Sequence, residues 1–192
     1  MGASKMEYQL VERISSERLE VCLNNLAERI NRDYAGKSLV LIGVLKGAFI
    51  FMADLARRLS VPIQLDFVRL ASYGEKAETC GSVRITKDIE LSIKGRHVLV
   101  VEDIVDTGIT MNWYLEHLRS LCPESVRVCT LIDKMERRRV EVAVDYVGLD
   151  LDSGFLVGYG LDYSEKHRNL PAIYEVVFED VAPREPDSAG GR

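Results

Sequence analysis

Two adjacent carboxylates, Glu102 and Asp103, follow the apolar run Val98-Leu99-Val100-Val101, and a third, Asp106, opens the run Asp106-Thr107-Gly108-Ile109-Thr110. Such an arrangement predicts a ligand site at the carboxyl end of a parallel strand, where open α/β sheets place their ligands. The backbone N–H groups of Asp106 to Thr110 and the hydroxyls of Thr107 and Thr110 fall at the start of a predicted helix, whose unpaired donors suit a phosphate dianion. Gly108 lets the backbone approach that anion closely. The helix dipole supplies only ~0.3–1 kcal/mol, up to ~2 in favourable geometry, so hydrogen bonds from the amides and hydroxyls must carry most of the affinity. Glu102 and Asp103 repel phosphate and must address hydroxyl groups or a metal. A sugar phosphate meets both demands, with its ribose hydroxyls on the carboxylates and its 5′-phosphate in the loop.

Elements that could position this segment are legible on both sides of it. Ser15 and Ser16 precede Leu19, Cys22, Leu23, Leu26, Ala27 and Ile30, which lie on one stripe of a helix that Gly36 can stop. The chain is thus expected to open with an amphipathic helix. Leu39 to Leu45 reads as a buried strand, Ala48 to Leu59 as a helix and Ile63 to Leu70 as a strand; Val98 to Val101, a helix from about Thr110 to Leu121 and Val126 to Ile132 repeat the pattern. Cys122-Pro123 breaks the second helix. Two βαβ units predict an α/β domain of Rossmann-like character, with a parallel central sheet flanked by helices. Val83, Ile85, Lys87, Ile89 and Leu91 alternate like a hairpin arm, and short strands are expected at Ala143 to Val147, Phe155 to Tyr159 and Ile173 to Phe178.

The 192 residues suit one domain, taken as 1–182, with the Pro-, Gly- and charge-rich 183–192 read as a disordered tail. With 47% hydrophobic and 29% charged residues the chain has an ordinary globular composition, and its net charge of -5 argues against sequence-independent nucleic-acid binding. Cys22, Cys80, Cys122 and Cys129 form no C-x-x-C pair, so zinc and a redox dithiol are not indicated and free thiols in a reducing compartment are expected. Leu39 to Leu55, the most apolar stretch, is interrupted by Lys46 and Asp54 and is too short for a membrane span. Met1 to Leu10 lacks an apolar export segment. The expectation is a cytoplasmic chain with no membrane and no nucleic-acid partner.

The run from Glu102 to Thr110 matches every specified position of E-D-x-x-D-T-G-x-T. On that segment the chain resembles the type I phosphoribosyltransferases, whose signature for 5-phosphoribosyl-1-pyrophosphate (PRPP) it carries, and within them the hypoxanthine and hypoxanthine-guanine branch. Supporting matches run from Leu45-Lys46-Gly47 through Ser72-Tyr73 and Lys134 to Gly154 to Tyr163 and Arg168. Ile109 departs from several relatives, which have Lys there; the position acts mainly through its backbone. The resemblance implies the type I fold, with a small hood subdomain built from the N-terminal segment and residues around 160–180. It also implies a homodimer or homotetramer and Mg²⁺-dependent transfer of the phosphoribosyl group from PRPP to hypoxanthine and guanine, giving IMP or GMP and pyrophosphate in purine salvage.

Roles follow from the resemblance residue by residue. Glu102, Asp103, Ile104, Val105, Thr107, Gly108, Ile109 and Thr110 would hold the ribose and 5′-phosphate, and Asp106 would take the proton from purine N7. Asp162 would ligate Mg²⁺ directly, with Glu102 and Asp103 holding the ribose hydroxyls to which a further metal binds. Lys134 would face the exocyclic O6, Phe155 would stack on the base, and main-chain groups of Leu156 and Val157 would read its far edge. Leu45, Lys46 and Gly47 resemble the family's pyrophosphate loop, with its non-proline cis peptide; Arg168 would contact pyrophosphate and Arg69 would brace that region. A reactive sugar cation must be shielded from water, and the polar stretch from Ser72 and Tyr73 to Ser82 is the long candidate lid.

Ordinary readings stand beside these. Taken singly, Lys134 is a solvated strand-end lysine, Phe155 a core aromatic and Asp162 a turn or cap residue. The histidines His97, His117 and His167 read as structural or surface groups, and Arg137-Arg138-Arg139 as a solvated turn, with an interface or ligand-bracing role the lesser alternative. Two rival classes are disfavoured, the first by the βαβ pattern and the short separation of its two motifs, the second by a charge balance that promises no basic face. Asp106-Thr107-Gly108 and Asp152-Ser153-Gly154 resemble the paired acids of aspartic proteases, and some RNA-binding regulators resemble phosphoribosyltransferases.

Overall fold

The computed structural model describes residues 7–72, 83–151 and 154–178. Its elements are β1 (Tyr8–Ile14), α1 (Ser16–Asp33), β2 (Leu39–Val44), α2 (Phe49–Ala56), β3 (Ile63–Ser72), β4 (Val83–Lys87), β5 (His97–Val105), α3 (Ile109–Ser120), β6 (Ser125–Asp133), β7 (Tyr146–Asp150), β8 (Leu156–Val157) and β9 (Ile173–Phe178). Six strands form one sheet in the order β4-β3-β2-β5-β6-β7, parallel except for the β3/β4 hairpin. The expected α/β architecture with a parallel core sheet is therefore present, with β5, the strand carrying the carboxylates, at its centre.

Strand alternation divides the core into two layers. Leu39, Leu41, Leu99 and Val101 face α1 and α2, meeting Leu23, Leu26, Ile30, Phe51 and Leu55, whereas Val40, Ile42, Val98 and Val100 face Met111, Tyr114, Leu115 and Leu118 of α3. Both faces of β5 are thus covered, which is why its sequence is a continuous apolar run. The serine preceding α1 caps it, with Ser15 Oγ accepting from Arg18 N at 3.3 Å.

Several boundaries differ from expectation. The chain is in strand before α1: β1 pairs antiparallel with β9, which also pairs with β8, to form a separate three-stranded sheet. Polar and charged residues interrupt β1, so its pairing partner rather than its own pattern stabilises it; Arg13 Nε lies 3.2 Å from Glu175 Oε2 across the pair. β5 continues past Val101 to Val105, which puts Glu102 and Asp103 inside the strand rather than after it. α2 ends at Ala56, β7 starts at Tyr146 rather than Ala143, and β8 has only two residues. Alternation in the hairpin arm stops at Lys87 because Asp66 Oδ2 accepts from the amides of Glu90 and Leu91 at 2.6 and 2.8 Å, turning the chain there. Among the described residues Cys22, Cys122 and Cys129 are free thiols, and no helix is long and apolar enough to cross a membrane. The 183–192 tail, Cys80, Asp152 and Ser153 lie outside the described residues.

Candidate active site

At the carboxyl ends of β5 and β6, Asp103, Ile104, Asp106, Lys134, Phe155 and Asp162 share the wall of one cavity of about 540 Å³, which Leu156 also lines. Asp106 follows β5 directly, and Lys134 follows β6 directly; the two strand ends are tied by Lys134 N donating to Val105 O at 3.0 Å. Asp106 Oδ1 is buried and has no hydrogen-bond partner, while its Oδ2 lies 3.3 Å from Arg137 Nη1. A buried acceptor without a partner is costly, so a ligand that presents a hydrogen at this carboxylate would relieve the cost.

After Asp106 the chain turns into α3. Gly108 occupies the cap position at φ 79° and offers no side-chain capping bond. An added Cβ there would collide with the carbonyl of Val140, so the glycine is required by both its conformation and its surroundings. The first-turn donors of α3 are consequently left for an exogenous acceptor, as phosphate binding demands. Val105, by contrast, is a core side chain only 2% exposed, so of its atoms only the backbone can serve a ligand site.

Electrostatics sharpen the site. Burial pushes Glu102 well above the ordinary carboxylate range, and the neighbouring Asp103 charge adds to the effect. Asp103 is also raised by burial, against the lowering effect of hydrogen bonds from Glu102 and Ile104 and of the Arg168 charge. Its Oδ1 accepts from Ile104 N at 2.7 Å. Burial lowers Lys134 below the usual lysine range, with the Asp106 charge acting in the opposite direction; its Nζ donates to Gly154 O at 2.7 Å. Two carboxylates raised by desolvation beside a lysine lowered by it is the pattern of a site held ready for polar ligands.

Opposite the strand ends, the Leu45-Lys46-Gly47 loop meets the segment after β8. The Leu45–Lys46 peptide is cis. Gly47 packs against the Asp103 carboxylate, and Gly160, at φ 102°, packs on the carbonyl of Gly47 so closely that neither position admits a Cβ. Arg168 donates to Gly160 O at 2.8 Å and pairs with Asp162 Oδ1 at 2.7 Å, and Asp162 Oδ2 accepts from Glu165 N at 2.8 Å. Lys46 Nζ sits 2.8 Å from Glu165 Oε2, which is also 3.5 Å from Arg168. Glu165, absent from the sequence reading, therefore bridges the two cations expected at pyrophosphate. Among the described residues no group of three or more His, Cys, Asp or Glu converges to hold a metal.

Other expected site residues fall as follows. Phe155 is half exposed on the cavity wall, edge-on to Tyr163 at 5.4 Å. Leu156 and Val157 are buried in β8 and pair with Glu175 and Tyr174 of β9. Ser72 ends β3 opposite Val83, and Tyr73 with the remainder of the expected lid lies outside the described residues. Arg69 is exposed on β3. His167 has a structural tie, its Nε2 lying 2.7 Å from Tyr8 Oη, as does His97 through Ser125 Oγ at 2.8 Å. The arginine run is only partly a solvated turn: Arg137 is exposed, but Arg138 turns inward beneath the Asp106 loop. A run of three identical side chains carries no signal as to which one faces in.

Comparison with known proteins agrees with this geometry. The phosphoribosyl transferase domain model matches residues 12–164. The chain is 44% identical over 170 residues to hypoxanthine phosphoribosyltransferase of Haemophilus influenzae, covering 87% of this chain and 95% of that protein. It is 44% identical over 166 residues to hypoxanthine-guanine phosphoribosyltransferase of Mycobacterium bovis, covering 83% and 82%. A crystal structure of a hypoxanthine-guanine phosphoribosyltransferase from Bacillus anthracis matches with a TM-score of 0.85 at 44% identity over 89% of this chain and 100% of that one. With carboxylates on a central strand, an uncapped helix start beside them and relatives matched over nearly their whole length, the chain belongs to the phosphoribosyltransferase family.

Proposed function

We propose that this chain transfers the phosphoribosyl group of PRPP to N9 of hypoxanthine, and of guanine, releasing pyrophosphate with Mg²⁺ bound, as a purine-salvage enzyme. One observation carries the reading: a partnerless buried carboxylate oxygen of Asp106 shares a cavity with Lys134 and Phe155 at the end of the strand that leads into an uncapped helix start. A 6-oxopurine lying on Phe155 would place O6 toward the Lys134 ammonium and N7–H toward Asp106. The first-turn amides of α3 and the hydroxyls of Thr107 and Thr110 would receive the 5′-phosphate, and Glu102 and Asp103 the ribose hydroxyls.

In the reaction N9 forms a bond to the anomeric carbon as the bond from that carbon to the pyrophosphate oxygen breaks. The electron pair of the broken bond leaves with pyrophosphate, and the N7 proton passes to the Asp106 carboxylate. Lys46 and Arg168 flank the position where pyrophosphate would sit; Glu165 would give up Lys46 to it, and Asp162 would give up Arg168. Asp162, released from Arg168, would be the carboxylate that holds Mg²⁺, an ion that binds through one or two carboxylates together with substrate phosphates and water rather than in an all-protein cage. Bound there, the ion would neutralise charge on the departing pyrophosphate.

The test is Mg²⁺- and purine-dependent conversion of PRPP to IMP, with Asp106→Asn as the informative variant. General acid–base help is worth ~10²–10⁴-fold, so kcat should fall by that order while IMP binding changes little. Unchanged turnover would remove Asp106 from its role. Consumption of PRPP that does not depend on purine would remove the reading as a whole, and salt-sensitive RNA binding in its place would favour a regulator.

A further inference from the structure

We propose that Arg138 is a positioning residue that aims the phosphate-binding amides. The inference rests on the proposed function and assigns the loop after β6 a part in it.

The Arg138 side chain is only 11% exposed. Its Nε donates to Asp106 O at 2.8 Å, its Nη2 donates to Val105 O at 3.2 Å, and the same nitrogen pairs with the Asp133 carboxylate and lies 3.5 Å from Lys134 O. One planar fork thus spans the ends of β5 and β6. From the next two residues, Arg139 N and Val140 N donate to Thr107 O at 2.9 and 3.0 Å. The consecutive carbonyls of Val105, Asp106 and Thr107 are all held by this one loop.

A trans peptide unit is planar, with its N–H opposite its C=O. Carbonyls of residues 105, 106 and 107 directed into the loop therefore direct the amides of Asp106, Thr107 and Gly108 away from it, which is the side a phosphate must occupy. Without Arg138 the Asp106 carbonyl loses its donor and the Asp106–Thr107 peptide plane is free to turn, while Val105 O keeps only the bond from Lys134 N at 3.0 Å. An ammonium cannot replace the guanidinium, because a single point charge on a flexible stem cannot reach acceptors on two strands in fixed directions. Arg138 touches no substrate in this arrangement and acts only through backbone.

Steady-state kinetics of the full chain with Arg138→Met and Arg138→Lys test the proposal. Both variants should raise KM for PRPP tenfold or more, while KM for hypoxanthine at saturating PRPP moves less than threefold. A bound-state check is the Kd for IMP, which should rise in parallel with KM for PRPP. Wild-type KM for PRPP in Arg138→Met, an equal rise for both substrates, or full recovery in Arg138→Lys would each overturn it. If Arg138→Met does not fold, Arg138→Lys, which retains charge and bulk, decides alone. A wild-type chain without transferase activity would count against the proposed function, whereas an active wild type with an unaltered variant counts against Arg138 only.

Discussion

Replacing Lys134 by Met tests whether this side chain selects the base. The lysine is held by its 2.7 Å bond to Gly154 O, and burial has lowered its proton affinity, so its ammonium is incompletely hydrated and still has donors for the cavity it shares with Asp106. A hydrogen bond to a charged group contributes about 1.5–3 kcal/mol. At about 1.4 kcal/mol per factor of ten, its loss should lower kcat/KM for hypoxanthine by roughly 10- to 150-fold. Met retains the length of the apolar stem, and any disturbance at Gly154 is common to all bases. Adenine has a donor at the corresponding position and gains nothing from the ammonium, so its kcat/KM should hold or rise. The assay is kcat/KM for hypoxanthine and adenine at saturating PRPP, in wild type and Lys134→Met. A fall by the same factor for both bases, or no fall for hypoxanthine, would refute the assignment.

Two further outcomes follow from the same geometry. Burial raises the Glu102 carboxyl, so the folded chain keeps a proton that the unfolded chain has released, and stability declines as pH rises from the ordinary glutamate range through the raised folded value. Glu102→Gln should therefore stabilise the ligand-free protein by an amount that grows as pH rises above the ordinary glutamate range. Each tenfold difference in proton affinity is worth about 1.4 kcal/mol, or roughly 3–5 °C in Tm for a chain of this size; a pH-independent difference in thermal melts would contradict it. Gly160→Ala imposes a side chain at φ 102° and against the Gly47 carbonyl, at a cost of about 2–4 kcal/mol. Tm should drop by roughly 5–15 °C and KM for PRPP should rise as the Leu45-Lys46-Gly47 loop shifts; thermal melts and kinetics unchanged from wild type would show that the contact is not required.

How much of this was legible in the sequence depends on distance along the chain. β5, its carboxylates, the Asp106 loop and the start of α3 form one uninterrupted segment, and a buried parallel strand must be apolar on both faces, so the segment reads directly. α1 was legible because its stripe and its Ser15 cap are local features. β1 was not, since Glu12 and Arg13 break its pattern and its partner, β9, lies at the far end of the chain. Glu165 acquires its place only when Lys46 and Arg168 are brought to it by the fold. Arg138 is chemically indistinguishable from its neighbours until the loop geometry turns one of them inward. The site's reacting groups were thus readable from a short segment, while the groups that hold them in place were not.

The central claim is that Asp106 to Thr110 receives a 5′-phosphate while the attached purine lies between Phe155 and Lys134. A crystal structure of the chain with IMP tests it most directly. Phosphate oxygens should lie within hydrogen-bond distance of the Asp106 to Thr110 amides, ribose hydroxyls at Glu102 and Asp103, and O6 at Lys134 Nζ. Phosphate bound at Lys134 with the base outside the cavity, or IMP in the separate cleft lined by Arg58 and Tyr159, would contradict it.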